Sequence, residues 1–253
     1  MSRSELVSLF AELGVRPGGV LMVHSSLSGT GLRDTEVRNT LLDAVGPEGT
    51  LVVPAFTPEN SDTSTAHLRL TAGLTDRATA KLRASMLPFE PNVTPCPSMG
   101  VLAECVRTTP GAVRSAHPQT SFAALGGRAG ELLDGHDPRC HLGEDSPLAR
   151  LYDADAQVLL FRVGFEVCTA FHLGEYRMEP SPPTRMYRCV VEEKGNWISY
   201  EDLVLDDGDF GAVGAALDRE LLTVREAAGR SVTLVGLRAA VDHARMTLTE
   251  YRR

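Results

Sequence analysis

VLLFRVGFEVCTAFHLGE, residues 158–175, is the stretch from which the architecture can be read. It opens as an apolar run of strand length, turns at Gly164, and passes through Cys168-Thr169 into a helical pattern carrying His172 and Glu175. Strand, glycine turn and helix start make an α/β unit. The first amides of such a helix have no partner inside it, so this junction is a common seat of chemistry. His172 and Glu175 stand three apart and share a helix face. A carboxylate beside an imidazole holds its tautomer and raises its basicity, which suits a general base near neutral pH. The same spacing also describes a helix-face histidine in a local ion pair, and at this level both readings stand.

Working outward, the upstream chain alternates helix and strand. Residues 2–13 read as a helix, with Ser2 and Glu5 in capping-box spacing and Gly14 as the stop. A buried strand follows over 20–23, then a helix over 34–45 capped by Asp34, with Val37, Leu41 and Val45 at helical spacing. TLVVP, residues 50–54, is the next strand. This α, β, α, β order with short connections predicts a parallel sheet covered by helices. Residues 55–94 show little periodicity and one helical candidate over 78–86; so long an irregular stretch lines a site or forms a lid. Further helices are expected over 98–107 and 128–133, and from Pro147 with Ser146 as cap. Residues 185–192 and 197–200 read as a hairpin turning at Lys194-Gly195-Asn196. A helix over 210–227, a strand over 231–235 and a helix from Leu237 complete the reading. With no internal repeat or low-complexity linker, residues 1–253 read as one α/β domain.

Composition narrows the function. At 253 residues the chain can bury a full core. A net charge of -8 disfavours nucleic acid, and suits either a cationic small substrate or simple solubility. No apolar run approaches the roughly 20 residues of a bilayer span, and the N-terminal pattern is an acidic amphipathic helix. The expectation is a cytoplasmic protein, monomeric or homodimeric, without membrane or nucleic-acid partners. Five cysteines, an odd number with no CxxC pair, argue against a disulfide framework and a thiolate zinc site.

Other motifs are weaker. HSSLSGTG, residues 24–31, can bring backbone amides close to a phosphate or a pantetheine arm, yet it also describes an ordinary Ser/Gly turn. His136 and His141 stand among Asp134, Asp137, Glu144 and Asp145, but in no metal-ligand spacing, so no metal is expected. Cys168, four residues before His172, could be a thiolate nucleophile; a buried inert thiol is the favoured reading. There is no G-x-S-x-G elbow.

Taken together, HSSLSGTG (24–31), GPEGTLVVPAF (46–56), PFEPNVTPCPSMGVLAE (88–104), RSAHPQTSFAALG (114–126), GEDSPLARLY (143–152) and TAFHLGE (169–175) resemble the aminoglycoside 3-N-acetyltransferase family. The six segments lie in the family's order over roughly the first 180 residues. The resemblance implies the antibiotic N-acetyltransferase type of α/β/α sandwich, distinct from the GNAT fold. It implies acetyl transfer from acetyl-coenzyme A to an amine of an aminoglycoside, the 3-amino group being the family's position, directly and without an acyl-enzyme. In the family's TxxHLxE motif the catalytic residues become Thr169, His172 and Glu175. His172 would be the base, Thr169 an oxyanion donor, and Glu175 would orient the imidazole or face the cationic substrate. The loop from His24 through Ser25, Ser26 and Leu27 resembles the pantetheine-binding segment. Arg114, Ser115 and His117 match the RSxHP motif, expected near coenzyme or substrate; a structural Arg–carboxylate pair would explain it as well. Asp62, Glu104 and Asp145 are candidates to meet the cationic amine. Two features depart from the pattern: Cys168 stands where the family often has Asn, and residues 55–87 match no aminoglycoside-specific version. The acceptor therefore stays open to a biosynthetic amine, with a non-catalytic drug binder as a further alternative.

Overall fold

The structure, a computed structural model, describes residues 1–252. Its strands are β1 (Val20–Ser25), β2 (Thr50–Pro54), β3 (Val113–Arg114), β4 (Phe122–Gly126), β5 (Gln157–Phe161), β6 (Thr184–Val190), β7 (Trp197–Leu203), β8 (Leu222–Ala227) and β9 (Arg230–Gly236). Its helices are α1 (Arg3–Leu13), α2 (Asp34–Val45), α3 (Thr65–Thr71), α4 (Asp76–Ser85), α5 (Val101–Arg107), α6 (Ala129–Leu133), α7 (Pro147–Asp153), α8 (Ala170–Tyr176), α9 (Phe210–Ala215) and α10 (Leu237–Tyr251). Seven strands form one sheet in the order β3-β4-β2-β1-β5-β9-β8, and β6 pairs with β7 separately.

Period-two alternation builds the layers. Val20, Met22, Val158 and Leu160 point to one face and pack against Leu132, Leu148, Phe171, Phe210 and Val241 of α6 to α10. Their neighbours Leu21, Val23, Leu159 and Phe161 point to the other, against Phe10 of α1, Leu41 of α2 and Leu102 of α5. Strands buried on both faces must be apolar throughout, which is why β1 and β5 read as unbroken runs. The result is the expected α/β/α sandwich. The local signals hold at α1, where the Ser2–Glu5 capping box forms and Gly14 adopts φ 87°. They hold at α7, where Ser146 accepts from the Leu148 amide over a first-turn proline. At α2 the cap differs: Asp34 is the first helical residue and accepts from the Thr35 amide, while Arg33 occupies the cap position without a side-chain bond.

Three readings are corrected. β1 is parallel to β2 and β5, but β4 and β9 run antiparallel to their neighbours, so the sheet is mixed. The helix expected over 210–227 stops at Ala215, and Leu222–Ala227 is a strand paired with β9 across a tight turn. Its Arg, Glu and Ala favour a helix, but six cross-strand pairs with β9 override that propensity. The stretch over 55–94 holds a 3-10 turn at Pro58–Asn60 and two helices, α3 and α4; only the second was legible. Among the described residues no helix is long and apolar enough to cross a membrane.

One close approach fixes the helix that matters most. A Cβ on Gly174 would lie 2.8 Å from Ala244 Cβ and 2.9 Å from the Arg245 amide, so only glycine lets α8 press against α10 at this depth.

Candidate active site

The ends of β1 and β2 and the segment after β5 converge on a cavity of about 340 Å³. His24, Ser25, Val53, Pro54, Cys168 and Thr169 line it, with His172, Met99, Asp207 and Phe210 completing the wall. It lies at the carboxyl ends of parallel strands whose connections leave β1 toward opposite sides, β2 on one and β5 on the other. Open α/β sheets place ligand crevices at that switch point.

The short helix α8 delivers the imidazole. His172 Nδ1 hydrogen-bonds to Glu175 Oε2, and Glu175 is fully buried. Its other oxygen, Oε1, accepts from Arg252 Nη1 at 2.5 Å and from the Asp206 amide at 3.0 Å. An ionised carboxylate can only accept, so Nδ1 carries the hydrogen and Nε2 is the basic nitrogen. His172 retains 13% exposure and packs its ring 4.7 Å from that of Phe210. Nε2 has no hydrogen-bond partner among the described residues.

A second imidazole shares the cavity. His24 makes no hydrogen bond among the described residues, and its Nε2 is enclosed. Burial, helped by the nearby His172, lowers its pKa to about 4, so it is neutral where the reaction runs. Thr169 also lines the wall, and its hydroxyl does not cap α8. Free amides at the helix start were expected; the amides of Cys168, Phe171 and His172 are instead taken by Phe165, Cys168 and Thr169 carbonyls. Burial pushes the Cys168 thiol up to about 12, which removes the thiolate a nucleophile needs.

The loop after β1 is held from below. Arg162, in a left-handed conformation at φ 61°, donates to Ser26 and Ser28 carbonyls at 3.2 and 2.6 Å, and to those of Ala227 and Ala228. Gly29 and Gly31 both take positive φ, which lets the loop double back. Ser25 reaches the cavity; Ser26 and Leu27 sit beside it outside the lining.

The other sequence-derived candidates do not converge here. Arg114 is buried and donates to Ser121 Oγ and to the carbonyls of Ala55, Pro91 and Thr94. It ties three loops together, and carbonyls rather than a carboxylate receive it. Ser115 bonds His136, and His117 Nδ1 accepts from the Gln119 and Thr120 amides in a closed interior. Asp62 is buried between Arg83 and Arg188, each 3.3 Å away. Glu104 is claimed by Arg107 and the Cys96 amide, which hold its carboxyl at about 2. Asp145 is exposed and lies outside the lining. The carboxylates that do line the cavity are Glu166 and Asp207, neither singled out from sequence. Arg162 and Arg252 were also missed; an arginine closing the apolar run of β5 was the one signal available. Among the described residues no group of three or more His, Cys, Asp or Glu is arranged to hold a metal ion.

A mixed α/β sandwich with an imidazole–carboxylate pair in its switch-point cavity defines a class of group-transfer enzyme. The chain belongs to the aminoglycoside 3-N-acetyltransferase family, whose profile matches residues 22–249. It is therefore an N-acetyltransferase. It is 34% identical over 238 residues to the SPbeta prophage-derived aminoglycoside N(3')-acetyltransferase-like protein YokD of Bacillus subtilis (strain 168), covering 92% of this chain and 86% of that one. The YokD crystal structure superposes with TM-score 0.89 over 98% of this chain and 99% of that one, at 30% identity. AAC-IIIb in its binary complex with CoASH matches with TM-score 0.84 at 25% identity, over 99% and 97% of the two chains. AAC-VIa bound to sisomicin matches with TM-score 0.81 at 25% identity, over 99% and 98%.

Proposed function

We propose that this protein transfers the acetyl group of acetyl-coenzyme A to the 3-amino group of an aminoglycoside, in a resistance role, with His172 as general base. The observation that carries the reading is the His172–Glu175 pair with Nε2 left unclaimed in the cavity. The relatives that bind CoASH and sisomicin support the two substrates. An apolar wall of Val53, Pro54, Phe56, Met99 and Val163 suits a pantetheine arm, and the Arg162-pinned loop with Ser25 suits its amides. Bound coenzyme supplies the thioester. The chain's own part is proton traffic: Nε2 takes the proton that the amine sheds as its lone pair forms the new C–N bond. Imidazolium then returns it to the leaving sulfur as the C–S bond breaks. Glu175 keeps the ring oriented, and the Thr169 hydroxyl is placed to donate to the developing oxyanion. Residues 1–253 are read as one domain. A cytoplasmic setting fits five free cysteines.

A second reading keeps the chemistry and changes the amine. With Asp62 and Glu104 already paired, only Glu166 and Asp207 offer carboxylates in the cavity, which favours an acceptor of lower charge. Thiol release from acetyl-coenzyme A with a panel of aminoglycosides and simple amines separates the two. Turnover of aminoglycosides that drops about 100-fold or more in His172→Ala supports the first reading. Turnover confined to other amines establishes the second, and undiminished turnover in the variant removes the base.

A further inference from the structure

The far oxygen of Glu175 carries an inference that rests on the general-base reading and deepens it. Glu175 has no solvent exposure, and its three donors come from three elements: His172 of α8, the Asp206 amide of the loop before α9, and Arg252 at the end of α10. Arg252 is 19% exposed and uses its remaining hydrogens on Asp209, at 2.8 and 2.5 Å, and on the Asp206 carbonyl at 2.5 Å. The geometry points to Arg252 as a positioning residue of the reaction: by neutralising Oε1 of Glu175 it sets the proton affinity of His172.

A buried carboxylate needs a cationic partner. If the imidazole were the sole one available, it would be drawn into its protonated form and would be a poor base at neutral pH. Arg252 supplies the cation from the other side, so Glu175 can orient the ring without holding a second proton on it. Asp209 draws off part of the Arg252 charge and thereby trims the effect. The guanidinium also braces the 206–210 segment, which brings Asp207 to the cavity and Phe210 against the His172 ring. The other charged or titratable groups near His172 are His24 from β1, His141 from the loop before α7, Glu166 after β5, and Asp207. None of them contacts Arg252, so they stay constant when it is changed.

The test is a pair of titrations on the full chain: the pH profile of thiol release, and NMR titration of the His172 ring. Arg252→Gln, Arg252→Lys and Asp209→Asn are compared with the native protein, with His172→Ala as control. In Arg252→Gln both the acid limb and the His172 midpoint move up by about one pH unit or more. Turnover at neutral pH then falls about tenfold and recovers at alkaline pH. Arg252→Lys keeps most of the native profile, and Asp209→Asn shifts both midpoints down. A uniform loss of rate in Arg252→Gln with both midpoints unmoved overturns the assignment and leaves Arg252 a structural tie. Should Arg252→Gln not fold, Asp209→Asn decides: a downward shift supports the assignment and an unmoved midpoint overturns it. An active His172→Ala sinks the general-base reading by itself, while the NMR titration still reports the coupling.

Discussion

His172–Glu175 and His141–Asp202 are the same chemical pair in two settings. Each joins a ring Nδ1 to a buried carboxylate, the second at 2.7 Å. Around His141 every polar atom is claimed. Nε2 meets Gln119 Oε1 at 3.1 Å and the Tyr200 hydroxyl at 3.0 Å, and Asp202 also receives the His141 amide and the Tyr176 hydroxyl. The His117 ring packs 4.9 Å from His141 and 4.7 Å from His136, so the cluster is a sealed polar core between the β6–β7 hairpin and α8. His172 keeps one nitrogen unclaimed on a cavity wall. The contrast teaches that a histidine–carboxylate pair does chemistry only where a ring nitrogen and a space for substrate are left over; fully paired, it holds structure together.

Substituting each histidine should split activity from stability in opposite ways. His172→Ala is expected to lower kcat about 100-fold or more while stability changes by no more than about 1 kcal/mol. Steady-state kinetics and chemical denaturation on one preparation check both. His141→Ala should do the reverse. It orphans Asp202 and costs about 3 kcal/mol, read as a lower denaturation midpoint, while kcat of the folded protein stays within about threefold. If His141→Ala instead abolished turnover in a fully folded protein, the two regions would not be separable.

Acid should reach the sealed region through stability. Burial lowers His136 and His24 to about 4, and holds His117 below its ordinary range. The unfolded chain takes up protons near the ordinary value of about 6.5, before the folded one does. Stability is therefore fully present above pH ~6.5 and falls progressively as pH drops toward ~4, by a few kcal/mol in all. Denaturation midpoints measured across that window test it; a flat line would mean that these rings are not held neutral. The smallest effect is expected at Cys168. With its thiol buried and un-ionised, Cys168→Ala should leave turnover within about threefold and trap no acyl-enzyme, as checked by rapid quench and intact-mass analysis.

Much of the fold was legible. The double-faced apolar runs of β1, β2 and β5, the capping box at Ser2 and the Ser146-Pro147 start are all local signals, and local contacts enforce them. Leu222–Ala227 was illegible because its strand state depends on β9, not on its own residues. In the site, His172, Glu175, Thr169, His24 and Ser25 could be named from spacing and resemblance, and the fold brings them together around one cavity. Asp62 and Glu104 were plausible only until arginines claimed them, and one of those claims crosses from the β6–β7 hairpin.

The sequence by itself determined what lies within a turn or a strand: the i, i+3 placement of His172 and Glu175, the caps, and the alternation that layers the sandwich. Tertiary structure alone decided the charge partners. Arg252 lies 77 residues from Glu175, and Asp202 lies 61 from His141. Such pairings follow from how closely α10 packs on α8 and where the hairpin docks. The strength of an electrostatic interaction depends on distance in space and on exclusion of water, and neither is written in the order of residues along the chain.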